Sequence, residues 1–360
     1  MAATATNGFP WWAWAWPALA WAVLGAAGLA GMPGPLAAAA GLVLICVVFA
    51  AVYHAEVVAH WLGEPFGTLV LAVAVTVIEV ALIVAVMLES GESKAGLARD
   101  TVFAAVMITC NGIVGLCLLS GGVRHREQNF RLESALAALA VLAALTVLSL
   151  ILPNFTMSSS GPTFSTPQLL FAGAASLVLY ASFVFIQTIR HRDYFVAGPS
   201  EEHHLPPPPR VTALASLGLL IVSLTAVVLL AKALSPTIEA GVDRFGAPKA
   251  VVGILIAALV LLPEGLAALR AARLDRLQTS MNLALGSALA SIGLTIPTVA
   301  VLSLMLGQPL ALGLGQKETV LLALTLFVAV ITLGTGRTTV LQGIVHLVIF
   351  AAFLFLAVVP

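Results

Sequence analysis

Eleven runs of about 20 mostly apolar residues, each long enough to cross the hydrocarbon core of a bilayer as a helix, follow one another along this chain. They lie near 11–30, 35–53, 66–88, 98–121, 134–152, 168–189, 211–233, 249–270, 280–305, 318–334 and 339–359. A backbone in hydrocarbon must satisfy its own N–H and C=O groups, so only helices and closed barrels can span. Runs this long and this rich in Ala and Leu are not barrel strands. The expected fold is therefore an all-α polytopic membrane protein with about 11 transmembrane helices. Only 9% of the 360 residues are charged, against roughly 25% in soluble domains. That excludes a soluble enzyme, a disordered chain and a nucleic-acid binder. Sixteen basic residues balance sixteen acidic ones, so no net field recruits nucleic acid. The expected surroundings are a lipid bilayer and transported cations, and a homo-oligomer is compatible with the sequence. Cys46, Cys110 and Cys117 are dispersed in apolar runs and form neither a disulfide framework nor a zinc site.

The first run has no basic n-region and no cleavage site, so it reads as a leading span rather than a signal peptide. Trp11, Trp12, Trp14, Trp16 and Trp21 fit an interfacial aromatic belt. Lys and Arg number ten in the loops on one side and six on the other. The positive-inside rule then puts the N-terminus in the cytoplasm of a bacterial inner membrane. No Lys or Arg is expected in the middle of a span.

The longest connection, 190–210, carries Glu201-Glu202-His203-His204 and four successive prolines from Pro206 to Pro209. It reads as an extended cytoplasmic linker. The expected organisation is a leading helix and interfacial segment over 1–34, a five-helix repeat over 35–189, the linker, and a second five-helix repeat over 211–360. Five is odd, so the second repeat starts inverted, as in transporters built from inverted repeats. The ordered features agree. The second span of each half holds one carboxylate, Glu79 or Glu264, followed by a short charged loop and then Asp100 or Asp275 at the start of the next span. A polar or small cluster follows each Asp: Thr109-Cys110-Asn111-Gly112 in one half, Gly286-Ser287 in the other.

Glu79 and Glu264 both stand at membrane depth, where a charge costs roughly 3 kcal/mol or more. With no basic residue at that depth to pair with, function is the better explanation for them. Pro263 precedes Glu264 and removes a backbone donor, which frees a carbonyl of the preceding turn. Broken helices with such carbonyls coordinate cations in transporters. Ser280, Ser287, Ser291 and Thr295 share one helix face, and Gly286 and Gly293 should let a neighbouring helix approach. Thr76 lies one turn from Glu79, and Asn111 is a rare amide within a span. The candidate cation- and proton-binding residues are thus Glu79, Glu264, Asn111, Ser287, Thr76 and Ser291, with Glu79 and Glu264 as the direct metal ligands. His54, Glu56, His60 and Glu64 read as a solvated helix end rather than a metal site, and His346 as a packed, hydrogen-bonded histidine. No P-loop, nucleophile constellation or cofactor motif appears, so no enzymatic activity, catalytic residue or cofactor is expected.

Two facing carboxylates suit Ca2+, which takes six to eight oxygens. When the ion leaves, bare charges in a low dielectric are unfavourable, and protons take its place. Cation and protons then compete for the same oxygens, which is antiport. Na+ or K+ exchange on the same site is the alternative, and a cation channel without proton coupling is the reading from another class.

The chain resembles the calcium/proton exchanger family of the cation/calcium exchanger superfamily, in particular its bacterial calcium–sodium/proton antiporter branch. The resemblance rests on Glu64-Pro65-Phe66-Gly67-Thr68-Leu69 running into Glu79, and on Arg99-Asp100-Thr101 running into Asn111-Gly112. In the second half it rests on Ala247-Pro248-Lys249-Ala250 running into Leu262-Pro263-Glu264-Gly265, on Ala284 to Ser291, and on Gly336 to Leu341. It covers about 35–360. It implies a leading helix, two inverted halves, a cation held by Glu79 and Glu264, and sliding of the outer helices to give alternating access. The commoner repeat has Gly-Asn before the acid and Glu-Leu or Glu-His at it. Here Val75-Thr76 and Val260-Leu261 stand in the Gly-Asn positions, and Gly265 replaces the His. An amide ligand is then missing unless Asn111 supplies one, and this bears on which cation is selected.

Overall fold

The computed structural model describes residues 9–63, 66–90, 95–195, 207–244, 246, 248, 250–307 and 310–359. In chain order the helices are α1 (Trp11–Ala30), α2 (Gly34–Leu62), α3 (Phe66–Ser90), α4 (Leu97–Met107), α5 (Val114–His125), α6 (Leu132–Thr146) and α7 (Thr166–Phe185). They continue as α8 (Arg192–Phe195), α9 (Arg210–Arg244), α10 (Ala250–Arg273), α11 (Leu277–Leu306), α12 (Gln316–Leu333) and α13 (Val340–Val358). A π-helical turn, Ile108–Ile113, joins α4 to α5 in one continuous span, and further π turns close α6 and α7. Among the described residues ten helical segments are long and apolar enough to cross a membrane, and α3 adds a shorter apolar stretch, Ala72–Val84. The only strands described, Gln128–Asn129 and Arg337–Thr338, pair antiparallel in a loop region.

Two spans run further than hydropathy suggests. Helix α9 continues to Arg244, so Lys232 lies inside a helix, on an exposed face, rather than in a loop. Helix α2 continues to Leu62. His54 is therefore not at a solvated helix end; it is fully buried. Polar side chains end a hydropathy window but leave the backbone ladder intact, which is why hydropathy alone ends both helices early. Glu64 and the linker residues Glu201, Glu202, His203 and His204 lie outside the described residues.

The chain divides into two compact units, Met1–Val86 with His203–Gly241 and Met87–Glu202 with Val242–Pro360. In the first, Pro17 sits inside α1. Proline has no N–H, so the carbonyl one turn earlier, that of Ala13, lacks its helical partner. His54 of α2 fills the gap: its Nε2 lies 3.0 Å from the Ala13 oxygen and its Nδ1 3.3 Å from Ser216 Oγ on α9. Because a carbonyl only accepts, Nε2 carries the ring proton and Nδ1 accepts from the serine. One buried imidazole thus ties three helices together at a proline-made defect.

The second unit is held by helix pairs that approach through glycine, the usual solution where lipid removes the hydrophobic drive between helices. A side chain at Gly343 of α13 would collide with the backbone of Gly115 and Leu119 on α5, and one at Gly122 would meet Val340. A side chain at Gly253 of α10 would strike the α4 backbone at Asp100 and Thr101. Gly293 of α11 packs on Tyr180 of α7 as the sequence suggests, whereas Gly286 faces nothing within 4 Å and mediates no close approach.

Replacing His54 by Leu should cost about 1–3 kcal/mol, the cost of a buried acceptor left unpaired. In a Pro17→Ala background the same change should cost less, because alanine restores the backbone N–H that the Ala13 carbonyl lacks. Thermal unfolding of the four proteins in detergent, treated as a double-mutant cycle, measures this coupling; purely additive losses would refute it.

Candidate functional site

In the first unit, Glu79 on α3 is 2% exposed. Thr76, one turn earlier, is also buried and donates its hydroxyl proton to the Ala72 carbonyl at 2.9 Å. Its oxygen keeps lone pairs that can face a cation. In the second unit, Glu264 is half-buried on α10. Pro263 does not break this helix, which is continuous from Ala250 to Arg273. Its effect is confined to the carbonyl one turn earlier, that of Leu259, which loses its N–H partner. Gly265, where the commoner repeat has His, stands against the π turn: a Cβ there would lie 3.0 Å from Ile113 Cδ1. The space an imidazole would need is occupied by isoleucine.

The serine row on α11 is placed as its spacing suggests. Ser280, Ser291 and Thr295 are buried and Ser287 is half-buried. The hydroxyl oxygens of Thr109 and Thr295 in this unit have no hydrogen-bond partner among the described residues, although both residues are fully buried. Unpaired buried hydroxyls are costly and can take a ligand.

Asn111 is fully buried in the π turn, and both of its polar atoms are engaged. Its Oδ1 lies 3.1 Å from His346 Nδ1 on α13, and its Nδ2 donates to Thr325 Oγ1 on α12 at 2.9 Å. His346 Nε2 lies 2.8 Å from Thr332 Oγ1, also on α12. His346 is thus a packed, hydrogen-bonded histidine, as the sequence suggests, but its partner is the amide picked out as a cation ligand. The sequence does not single out Thr325 and Thr332. Their signal, two threonines seven residues apart on one helix face, is common in membrane helices and points to no partner.

Among the described residues no group of three or more His, Cys, Asp or Glu side chains could hold a metal ion. A cation here would have to be met by single carboxylates and neutral oxygens, the donor set of a hard ion in passage. The assembly of apolar helices, with a carboxylate-bearing helix in each unit, is that of a multi-pass ion transporter.

Comparison with known proteins agrees. Residues 35–189 and 215–359 match the family described as sodium/calcium exchanger protein, and the chain belongs to that family. It is 54% identical over 326 residues to the ionic transporter y4hA of Sinorhizobium fredii, across 89% of this chain and 88% of that one. It is 37% identical over 317 residues to the sodium-potassium/proton antiporter ChaA of Escherichia coli, across 86% of this chain and 85% of that one. Its fold is similar to a crystal structure of the Ca2+/H+ antiporter protein YfkE, with a TM-score of 0.71 at 14% identity, covering 97% of this chain and 98% of that one.

Asn111→Ala should destabilise the protein by about 1–3 kcal/mol, because it removes the amide partner of His346 Nδ1 and Thr325 Oγ1 at full burial. Ser287→Ala, at a half-buried hydroxyl, should stay within about 0.5 kcal/mol of the parent. Melting temperatures of the purified variants compare the two directly, and an equal effect would show that the amide network adds nothing to stability.

Proposed function

We propose that this protein is a secondary cation/proton antiporter of a bacterial inner membrane, with its N-terminus in the cytoplasm. The observation that carries the reading is the pair of single carboxylates at membrane depth, Glu79 on α3 and Glu264 on α10, one in each half of the chain. A bare carboxylate at that depth is unfavourable, so each is neutralised by a cation or by a proton. The two ligands exclude one another at the same oxygens, and alternating access then exchanges them across the membrane. No separate proton route is needed. Thr76, Ser287 and Ser291 supply neutral oxygens around the carboxylates. The halves over 35–189 and 211–360 act as inverted repeats whose alternation exposes the carboxylates to one side of the membrane and then to the other.

The transported cation is monovalent, Na+ or K+, in this reading. Both repeats lack the amide before the acid, and the Asn111 oxygen is taken by His346, so the oxygens left suit an ion with modest coordination demands. The 37% relative named as a sodium-potassium/proton antiporter supports the same assignment. Ca2+ is the second reading, favoured by the two carboxylates, which together match its charge.

Purified protein in liposomes with an acidic interior and a trapped pH dye tests this. External Na+ or K+ should raise the internal pH, and Glu79→Gln and Glu264→Gln should each reduce the signal to that of empty liposomes. A response to Ca2+ alone would move the protein to the second reading. Full activity in both variants would remove the carboxylate pair from the mechanism.

A further inference from the structure

The amide network bears on selectivity. Asn111 Oδ1 can only accept a hydrogen bond, so with the ring proton on Nδ1 the His346 nitrogen facing it at 3.1 Å donates to it. The other ring nitrogen meets Thr332 Oγ1 at 2.8 Å, and that hydroxyl also lies 2.8 Å from the Val328 carbonyl. On its far side the amide is fixed by Thr325, whose own hydroxyl lies 3.4 Å from Met107 Sδ. His346, Asn111 and Thr325 are all fully buried.

The imidazole has little room to leave. A side chain at Gly115 of α5 would come within 3.1 Å of His346 Cβ, so α13 and α5 are in near-backbone contact at this level. The π turn that carries Asn111 also carries Ile113, against which Gly265 packs, and Gly265 is the residue after Glu264. The amide therefore belongs to the turn on which the Glu264 helix rests, yet its oxygen is turned to a histidine.

We propose that His346 is a specificity-determining positioning residue: by holding Asn111 Oδ1 it withholds an amide oxygen from the cation and disfavours Ca2+ relative to Na+ or K+. Ca2+ needs six to eight oxygens, and in a chain whose repeats have Val75-Thr76 and Val260-Leu261 before their acids, one amide oxygen is a large part of what can be offered. Removing the N–H donor leaves Oδ1 unpaired at full burial, where a hard cation becomes its best partner. The inference rests on the exchange reading above.

The test uses the full chain in liposomes and reads the ratio of Ca2+-driven to Na+-driven proton release. His346→Leu should raise that ratio about tenfold, equivalent to about 1.4 kcal/mol, through a lower KM for Ca2+. His346→Phe serves the same purpose and keeps the volume of a ring. His346→Gln retains a donor for Asn111 and should keep the parent ratio. Thr332→Val loosens the histidine without removing its N–H, and should lower the melting temperature but leave the ratio alone. An unchanged ratio in both apolar variants overturns the proposal, as does an equal rise in Thr332→Val, which would reduce His346 to packing. A parallel measurement needs no flux: stabilisation of the purified protein by Ca2+ against Na+ should shift toward Ca2+ in His346→Leu. If no chain exchanges any cation, the exchange reading fails and this thermal comparison still decides the role of His346.

Discussion

Hydrocarbon offers no hydrogen-bond partner, and each polar group carried into it must find one in the protein. The structure is organised around that constraint. Pro17 opens a gap in the hydrogen-bond ladder of α1, and the imidazole of His54 closes it from another helix while holding Ser216 of a third. Asn111 places a four-site amide at full burial, and Thr325 and His346 from two helices close around it, with Thr332 bonded to the far side of the histidine. In both cases a local defect in one segment is satisfied by a distant one, so the polar contact doubles as a tertiary constraint. Glu79 and Glu264 differ in kind. They carry a potential charge rather than a neutral amide or hydroxyl into the apolar interior, which costs more.

Close helix approach makes those contacts possible. Gly115, Gly122 and Gly343 bring α5 and α13 to backbone distance, and Gly253 does the same for α10 and α4. The π turn between α4 and α5 has one residue more than an α-helical turn would, which lets a single span turn Asn111 toward α12 and α13 while Ile113 meets α10 at Gly265. The glycine at 265 and the bulge at 108–113 are two halves of one fit.

The membrane spans and their carboxylates are legible in the sequence because hydropathy and rarity are local properties. A glutamate in an apolar run needs no partner to be noticed. What the sequence does not convey depends on pairs far apart in the chain: His346 and Asn111 are 235 positions apart, and His54 and Ser216 are 162. Spacing does not tell Gly286 and Gly293 apart either, since both lie on the same helix and only the neighbouring Tyr180 distinguishes them. The burial of His54 is hidden for a related reason. A histidine and a glutamate near the end of an apolar run lower the local hydropathy and mark an apparent end there, although α2 continues to Leu62.

The departures from the commoner exchanger repeat also fit together physically. In that repeat an amide precedes the acid and an imidazole can follow it. Here both positions are apolar or Gly in the second half, and the place of the imidazole is filled by Ile113 from the π turn. An amide and an imidazole are nonetheless present at the same unit's core, as Asn111 and His346, bonded to each other. An amide oxygen facing an open site serves a cation, whereas one facing an N–H serves the fold. With the imidazole on α13 rather than beside the acid, its contact with Asn111 commits the amide oxygen to the fold. Selectivity in such a site depends as much on which oxygens are already bonded as on which are present.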